Sequence, residues 1–398
     1  MKIIAYRYNS ICEPGYIAAF RALGIEVIEC RHDDGGSATV WDRMEELAGL
    51  IGEHGPLFVF SINYFPFISM VCDRLHTLYV AVSVDCPVFE IYDESIRSPY
   101  NRVFLFDREQ YQSVRDENPK GIFHLPLGAD VTRMEEYAGP FEEFAGRERY
   151  DQDITLVGSL YNEKDSYSSL NLAERDQARF QTLMDRQRDV PGLEIIEREL
   201  TDNDVEILKS ADPGFRPSDR SVSDISKRYA VDSYFSDHLT VTDRQDLLNS
   251  LAAALPGGSV HLFTLSDTSA LQGVVCHGGV NSTTEMPRVF RRSRINLNPT
   301  MRAIRTGLPQ RIWDVLASGG FLLTNAQEEI PENLTAGKHL ETYENTQELI
   351  EKTRYYLSHE EERQEIARTG YLEVKQNHTI LHRVAQMIRQ IVMTEEAR

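Results

Sequence analysis

The sequence predicts an α/β protein of two domains, and three features carry that expectation. Its 398 residues exceed one ordinary core and suit two domains of about 150 to 200 residues each. Short apolar runs take turns with amphipathic stretches, the pattern of parallel strands covered on both faces by helices. A polar, acidic stretch at 131–152 then interrupts the pattern, which restarts with an apolar run at 154–157. The expected division is 1–150 for a first domain, 151–375 for a second with a helical insertion at about 166–255, and 376–398 for a terminal helix bracing the first.

In the first half, residues 2–6 predict a strand, 15–24 a helix and 25–30 a second strand, a unit at the spacing of a parallel sheet. A helix at 40–50, strands at 57–61 and 78–84, a short helix at 67–75 and strands at 102–106 and 122–125 continue it. Ligands of such sheets bind beyond the carboxyl ends of the strands, which selects three segments: SINYFP at 61–66, SVDCP at 83–87 and LPLGAD at 125–130. Asp85 is the first acceptor-side candidate, a carboxylate able to hold or deprotonate a hydroxyl, or else to cap a turn. Asn63 occupies a similar position. His124 lies inside a short strand, where a buried, hydrogen-bonded imidazole is at least as good a reading as a catalytic one. His32, Asp33 and Asp34 have the composition of metal ligands but stand in a Gly-rich polar loop, and no metal site is expected.

Composition narrows the classes of partner. Lys and Arg number 42 and Asp and Glu 62, a net charge of −20, which repels nucleic acid and anionic lipid over most of the surface. A small anionic ligand still fits a local pocket of amides and arginines. Five scattered cysteines without a CxxC pair read as reduced and mostly buried. The N-terminal MKIIAYRYNS reads as a strand and not as a leader, and no apolar run approaches the length of a membrane span. A cytoplasmic protein without a transmembrane segment is the expectation.

In the second half, the strand at 154–157 ends in Gly158-Ser159, a turn in which amides and a hydroxyl can approach phosphate. Residues 166–255 are charged and largely helical, broken at 191–197 and 212–217, and hold Asp237, His238 and Asp243 without metal-ligand spacing. Strands are expected at 259–265, 272–276 and 294–297, with a short helix at 286–292. The block TGLPQRIWDVLASGGFLLTN at 306–325 says most. Pro309 opens a helix, and Ile312, Trp313, Val315 and Leu316 bury it. Residues 317–320 close it and 321–324 form the next strand. Arg311 and Asp314 share one face of this helix. Arg311 can meet a diphosphate and Asp314 two ribose hydroxyls, or the two can form a surface ion pair. Gly319, in the closing turn, completes the candidate donor site. Two helices at 345–375 and one at 379–393 follow.

The segments LFVFSINYFP, YVAVSVDCPVF, RVFLFDREQY, HLPLGAD, ITLVGSLYN, RINLNPT and RIWDVLASGGFLLTN together resemble the CgeB-like (spore-maturation type) glycosyltransferases, with a group-1 glycosyltransferase C-terminal domain. The resemblance spans roughly 55–385. It implies a GT-B fold, two Rossmann-like domains facing across a central cleft. It implies a nucleotide-diphosphate sugar, UDP-sugar being the better choice, bound as co-substrate mainly by the second domain, with no tightly bound cofactor. A hexose-type sugar would pass to a hydroxyl of a glycan, a protein or a small molecule. Relatives carry two glutamates separated by seven residues. The second corresponds to Asp314, whereas the first corresponds to Thr306, which is not acidic.

Charge building on the β-phosphate oxygen during transfer calls for preorganised donors in a closed cleft. Gly158, Ser159 and Arg311 are expected to supply them, with Arg294 as a further candidate. Asp85 would orient or deprotonate the acceptor. A dehydrogenase would show G-x-G-x-x-G after its first strand, where NSICEPG stands, and a phosphate-loop ATPase would show GxxxxGK[ST], which is missing. The runner-up is a sugar-nucleotide-binding or scaffold protein without turnover, which Thr306 permits. A sugar-phosphate isomerase of the same two-domain fold is a third reading.

Overall fold

The computed structural model describes residues 1–31, 38–141, 150–188, 190 and 192–396. The loop His32–Asp34 weighed above as a metal candidate lies outside them. The chain forms two compact units, one of residues 1–128, 218–224 and 378–398, the other of 129–217 and 225–377.

The first unit is a six-stranded parallel sheet of β1 (Lys2–Arg7), β2 (Glu26–Arg31), β3 (Phe58–Ile62), β4 (Leu78–Val82), β5 (Asn101–Leu105) and β6 (Ile122–His124). Helices α1 (Glu13–Ala22), α2 (Val40–His54), α3 (Pro66–Arg74) and α4 (Arg108–Val114) connect the strands. The order is β2-β1-β3-β4-β5-β6, so the direction of winding reverses between β1 and β3. β3, β5 and most of β4 are buried along their whole length. That explains their unbroken apolar sequences, since a strand covered on both faces has no solvent side to mark with polar residues.

The second unit repeats the plan with β7 (Gln152–Val157), β8 (Val260–Phe263), β9 (Val275–His277), β10 (Ser293–Asn298), β11 (Leu322–Asn325) and β12 (Glu341–Tyr343). Its helices are α5 (Val131–Ala138), α6 (Glu174–Arg188), α7 (Glu194–Glu199), α8 (Asp202–Ala211), α9 (Ser226–Ala230), α10 (Asp237–Ala254), α11 (Met286–Arg291), α12 (Gln310–Ala317), α13 (Ile330–Asn333), α14 (Thr346–Ser358) and α15 (Glu360–Asn377). The strand order β12-β11-β10-β7-β8-β9 is that of a Rossmann sheet, and its reversal falls between β7 and β10. The last helix, α16 (Ile380–Glu396), belongs to the first unit, where Ile380, Val384, Met387 and Ile391 join Tyr16, Phe20 and Phe60 in one apolar cluster. The helical insertion has a core of its own, in which Phe180, Leu183, Leu193, Leu208, Tyr234 and Phe235 meet. The expected strand at 272–276 starts later than foreseen, as β9, because Gly273 in the left-handed region (φ 71°) turns the chain first.

Cys30, Cys72 and Cys86 are buried, Cys12 is partly so and Cys276 is exposed, all without disulfides. Among the described residues no helix is long and apolar enough to cross a membrane.

The helix α12 is fixed at both ends. Ile312, Trp313, Val315, Leu316 and Ala317 are buried, each full burial of a large apolar side chain stabilising by roughly 1.5–3 kcal/mol. Its closing turn needs two glycines for different reasons. Gly319 has φ 71°, and a Cβ there would stand 2.5 Å from the Phe141 ring and 3.0 Å from the Arg291 guanidinium carbon. At Gly320 a Cβ would fall 2.6 Å from the Asn296 amide nitrogen and 2.8 Å from the Phe290 carbonyl. Gly320→Ala must therefore push α12 away from β10, and unfolding stability is expected to drop by about 1–3 kcal/mol. Denaturant melts followed by circular dichroism check this, and an unchanged midpoint would show that the turn has room to spare.

Candidate functional site

The second unit carries a pocket of about 610 Å3 lined by Val157, Gly158, Ser159, Glu163, Phe263, Ser266 and Arg311 among others. It opens beyond the carboxyl ends of β7 and β8, where an α/β sheet places its ligands. Three expected donor residues, Gly158, Ser159 and Arg311, meet there.

Arg311 enters from the first turn of α12 with its side chain 26% exposed. Its guanidinium lies over the Phe290 ring at 5.1 Å, touches the Met286 sulfur and stands 3.6 Å from Asp314. Burial lowers its pKa, and Asp314 opposes that shift. Among the described residues the guanidinium's one hydrogen-bond partner is the Met286 sulfur, so the group is placed to receive an anion.

Asp314 behaves differently from the expectation that it meets a ribose. It is 2% exposed. Its carboxylate accepts from Gln310 Nε2 at 3.0 Å and faces Arg311 at 3.6 Å and Arg133 at 3.8 Å. Burial raises its pKa against the pull of those two arginines. In this arrangement it orients Arg311 and does not line the pocket.

Two other expected donor residues stand elsewhere. Arg294 is paired in register with the start of β7, at the opposite end of the sheet from the pocket. It lies 3.4 Å from Asp153 and 5.6 Å from the Tyr150 ring. Its place near RINL in sequence gave no hint of which strand end it occupies. Gly319 closes the far end of α12 and serves packing, as its contacts with Phe141 and Arg291 show. Thr306 donates to Glu329 Oε1 at 2.8 Å, and Glu329 is buried at 1% exposure.

Sequence reading missed Arg244. From α10 its guanidinium reaches the Ser159 carbonyl and, at 2.7 Å, the Pro299 carbonyl, bridging the ends of β7 and β10 where the strand order reverses. It is 9% exposed, its Nε has no hydrogen-bond partner among the described residues, and the Tyr161 ring covers it at 4.7 Å. Burial lowers its pKa, and nearby Arg311 acts in the same direction. Burying an ion costs several kcal/mol, while each bond from a charged donor to a neutral acceptor returns about 1.5–3 kcal/mol. Two carbonyls therefore leave the charge under-compensated. The 85 residues between Ser159 and Arg244 hid this pairing from any local pattern.

The turn after β7 is also more closely engaged than a phosphate cradle would be. The Gly158 amide bonds the Phe263 carbonyl, the Leu160 amide Ser266 Oγ at 2.9 Å, and the Tyr161 amide Ser159 Oγ at 2.6 Å. Ser159 Oγ donates to Glu163 Oε1, and Ser266 Oγ donates to Glu163 Oε2 at 3.0 Å. Burial would raise the Glu163 pKa, but these hydroxyls and its own amide outweigh it and lower it. Tyr161 holds φ 69°, a left-handed backbone that costs a non-glycine residue about 1–3 kcal/mol.

In the first unit, Asn63 and Asp85 do come together. Asn63 Nδ2 donates to Asp85 Oδ2 at 2.6 Å and to the Tyr8 hydroxyl at 2.9 Å, while its Oδ1 accepts from the Val84 amide at 3.0 Å. Asp85 is exposed. Asn63 is itself left-handed, with φ 56°. Burial, with Asp85 and Glu13 in support, raises the Tyr8 phenol to about 12. Asn63 thus steadies Asp85, whose exposed carboxylate can accept from a hydroxyl. His124 bonds the Phe106 carbonyl at 3.2 Å and serves the fold.

His238 and Asp243 of the insertion have protein partners. His238 lies 3.0 Å from Asp165 and Asp243 2.6 Å from Arg302. Among the described residues no group of three or more metal-ligating side chains occurs.

Residues 244–389 match the family described as Glycosyl transferase-like. No curated protein matches the chain. Among solved structures it is similar to an α-glucosyltransferase in complex with UDP and a 13-mer DNA containing a HMU base, at TM-score 0.55 and 10% identity over 98% of this chain and 99% of that one. A UDP-forming α,α-trehalose-phosphate synthase from Burkholderia xenovorans gives TM-score 0.52 at 13% identity over 98% of both chains. A sucrose-phosphate synthase from Thermosynechococcus elongatus gives 0.52 at 11% over 99% of both. The fold is GT-B, two parallel sheets each flanked by helices.

One carboxyl near the pocket-lining loop gives a test of the local electrostatics. Burial raises Asp237 to about 7, helped by Asp165 and Asp232 and opposed by Lys164. A carboxyl whose folded pKa lies above its unfolded one adds stability below about pH 4 and loses it as pH rises through about 7. Melting temperature is thus expected to fall between about pH 4 and 7, and Asp237→Asn to flatten that fall. Parallel melts across pH read the difference, and identical pH profiles would refute the shift.

Proposed function

We propose that this protein is a glycosyltransferase of the CgeB-like kind, moving a hexose-type sugar from a UDP-sugar to a hydroxyl acceptor in the cytoplasm. One observation carries the reading: a half-buried guanidinium, Arg311, most of whose donors are unengaged among the described residues, in a pocket at the carboxyl ends of β7 and β8. The GT-B fold and the glycosyl transferase-like segment at 244–389 support the same assignment. So do the UDP named with one structural neighbour and the UDP-forming reaction named for another.

In the reaction, the bond between the anomeric carbon and the β-phosphate oxygen breaks, and its electron pair leaves with the nucleoside diphosphate. Arg311 receives the growing charge, with Gly158 and Ser159 at the pocket wall and Arg244 behind them. Asp314 aims Arg311. Two guanidiniums supply the positive charge that a metal ion supplies elsewhere, so transfer is expected to proceed without one. The acceptor oxygen bonds the anomeric carbon and its proton leaves to a base. Asp85, steadied by Asn63, is the proposed base for an inverting reaction and a positioning group for a retaining one.

The proposed division of labour is 1–150 for the acceptor side, 151–375 for the donor side with the insertion, and 376–398 as the bracing helix. A glycan, a protein side chain and a small metabolite all remain within the acceptor class. Calorimetric titration with UDP is expected to give binding that Arg311→Ala weakens about tenfold or more, which is about 1.4 kcal/mol or more. UDP release from donor, with or without acceptor, is expected to drop about a hundredfold in the same variant. Unchanged UDP affinity would remove Arg311 from the site. Tight UDP binding with no release from any donor of a panel would instead favour a scaffold role, the reading that Thr306 permits.

A further inference from the structure

Ser159 and Ser266 line the pocket together with Glu163 and Arg311. A hydroxyl has a single O–H to give. Both of these hydrogens go to Glu163, one to each carboxylate oxygen. The acceptor side of both hydroxyls is taken as well, by the Tyr161 and Leu160 amides. The two oxygens lie 3.2 Å apart, so the pair forms a fork that grips a carboxylate much as it would grip a phosphate edge. An anion cannot receive a hydrogen bond from Ser159 or Ser266 while Glu163 keeps its place. A carboxylate left in place also sets a negative charge beside any diphosphate drawn by Arg311, in a pocket where water screens it less than in bulk.

We infer that Glu163 is a built-in competitor for the diphosphate seat, an exposed carboxylate that occupies the Ser159–Ser266 fork and must swing out before a nucleoside diphosphate is gripped there. This rests on the nucleotide-sugar reading above and adds regulation to it. Glu163 is exposed, so its side chain can leave into solvent without disturbing a core. The seat is then closed to weakly held anions and opens to a ligand that brings enough charge for Arg311 and the fork together. A nucleoside lacking phosphate has no use for the fork and is indifferent to Glu163.

The test is a gain of affinity, which damage to the fold does not mimic. Glu163→Ala and Glu163→Gln are titrated with UDP, pyrophosphate and uridine beside the wild type. Both variants are expected to bind UDP and pyrophosphate more tightly, by roughly three- to tenfold as befits removal of one nearby like charge, and to leave uridine unchanged. The double variant Ser159→Ala/Ser266→Ala is expected to lose that gain when combined with Glu163→Ala. UDP affinity that is unchanged or weaker in Glu163→Ala overturns the inference, the weaker case marking Glu163 as a ligand contact. If neither wild type nor Glu163→Ala binds UDP, the nucleotide reading itself falls. If the wild type binds UDP through Arg311 and Glu163→Ala binds no better, only the competitor role falls.

Discussion

The site in the second unit depends on positive charge buried where the strand order reverses. Arg244 and Arg311 both lie in that region, burial lowers the pKa of each, and the charge of Arg311 lowers that of Arg244 further. One buried carboxylate, Asp314, faces Arg311 and Arg133, and Arg244 bonds two carbonyls under an aromatic face, with the Glu163 carboxylate as a weaker charge partner. A chain with a net charge of −20 could pair such groups with acids at little cost in composition. Leaving them short of acids keeps a local positive potential inside a protein that repels anions over most of its surface. Asp314 fits this logic: a carboxylate at 2% exposure neutralises part of the charge and fixes the guanidinium's direction without filling the pocket.

Both units place backbone strain at the same kind of position. Among the described residues, the non-glycine residues with positive φ are Asn9, Asn63, His76 and Tyr161. Three of the four follow the carboxyl ends of strands at a reversal of winding, Asn9 after β1, Asn63 after β3 and Tyr161 after β7. Each such residue costs about 1–3 kcal/mol and persists where surrounding bonds over-determine it. Asn63 is held by the Tyr8 hydroxyl, Asp85 and the Val84 amide, and Tyr161 by Ser159 Oγ and the Arg244 face. The strain aims side chains at the space beyond the sheet, which is where chemistry on this fold takes place.

Much of the architecture was legible because it is local. Strands such as LFVFS and YVAV declare double-sided burial by their lack of alternation, and IWDVLASGG declares a buried helix closed by glycine. Arg311 could be found the same way, from its place in the first turn of that helix. What sequence hid depends on distant partners or on direction. Arg244 becomes part of the site only through carbonyls 85 and 55 residues away. Arg294 stood as a further candidate behind Arg311 until the register of β10 put it at the other end of the sheet from the pocket. Asp314 shares a helix face with Arg311, as spacing foretold, but spacing cannot tell a face toward the pocket from a face toward α5. Glu163 stood in plain view four residues after Ser159, and only the serine 107 residues away from Ser159 turns it into an occupant of the anion seat.

The second sheet has the strand order of dinucleotide-binding folds without their glycine fingerprint, and the structure gives a physical reason. A fingerprint turn binds phosphate with free amides at a helix start. Here three of the amides after β7, those of Gly158, Leu160 and Tyr161, are engaged by Phe263, Ser266 and Ser159, so the turn offers less backbone to a phosphate than a fingerprint turn does. In the proposed site side chains take over this role, guanidiniums supplying the charge and serine hydroxyls the directed bonds. An amide cradle is permanent, because a peptide N–H cannot be withdrawn. A seat made of side chains can be filled by the protein itself when no ligand is present. The lack of G-x-G-x-x-G is thus more than a sign against a dehydrogenase; in the proposed site it is the condition that lets Glu163 and an anion contend for one place.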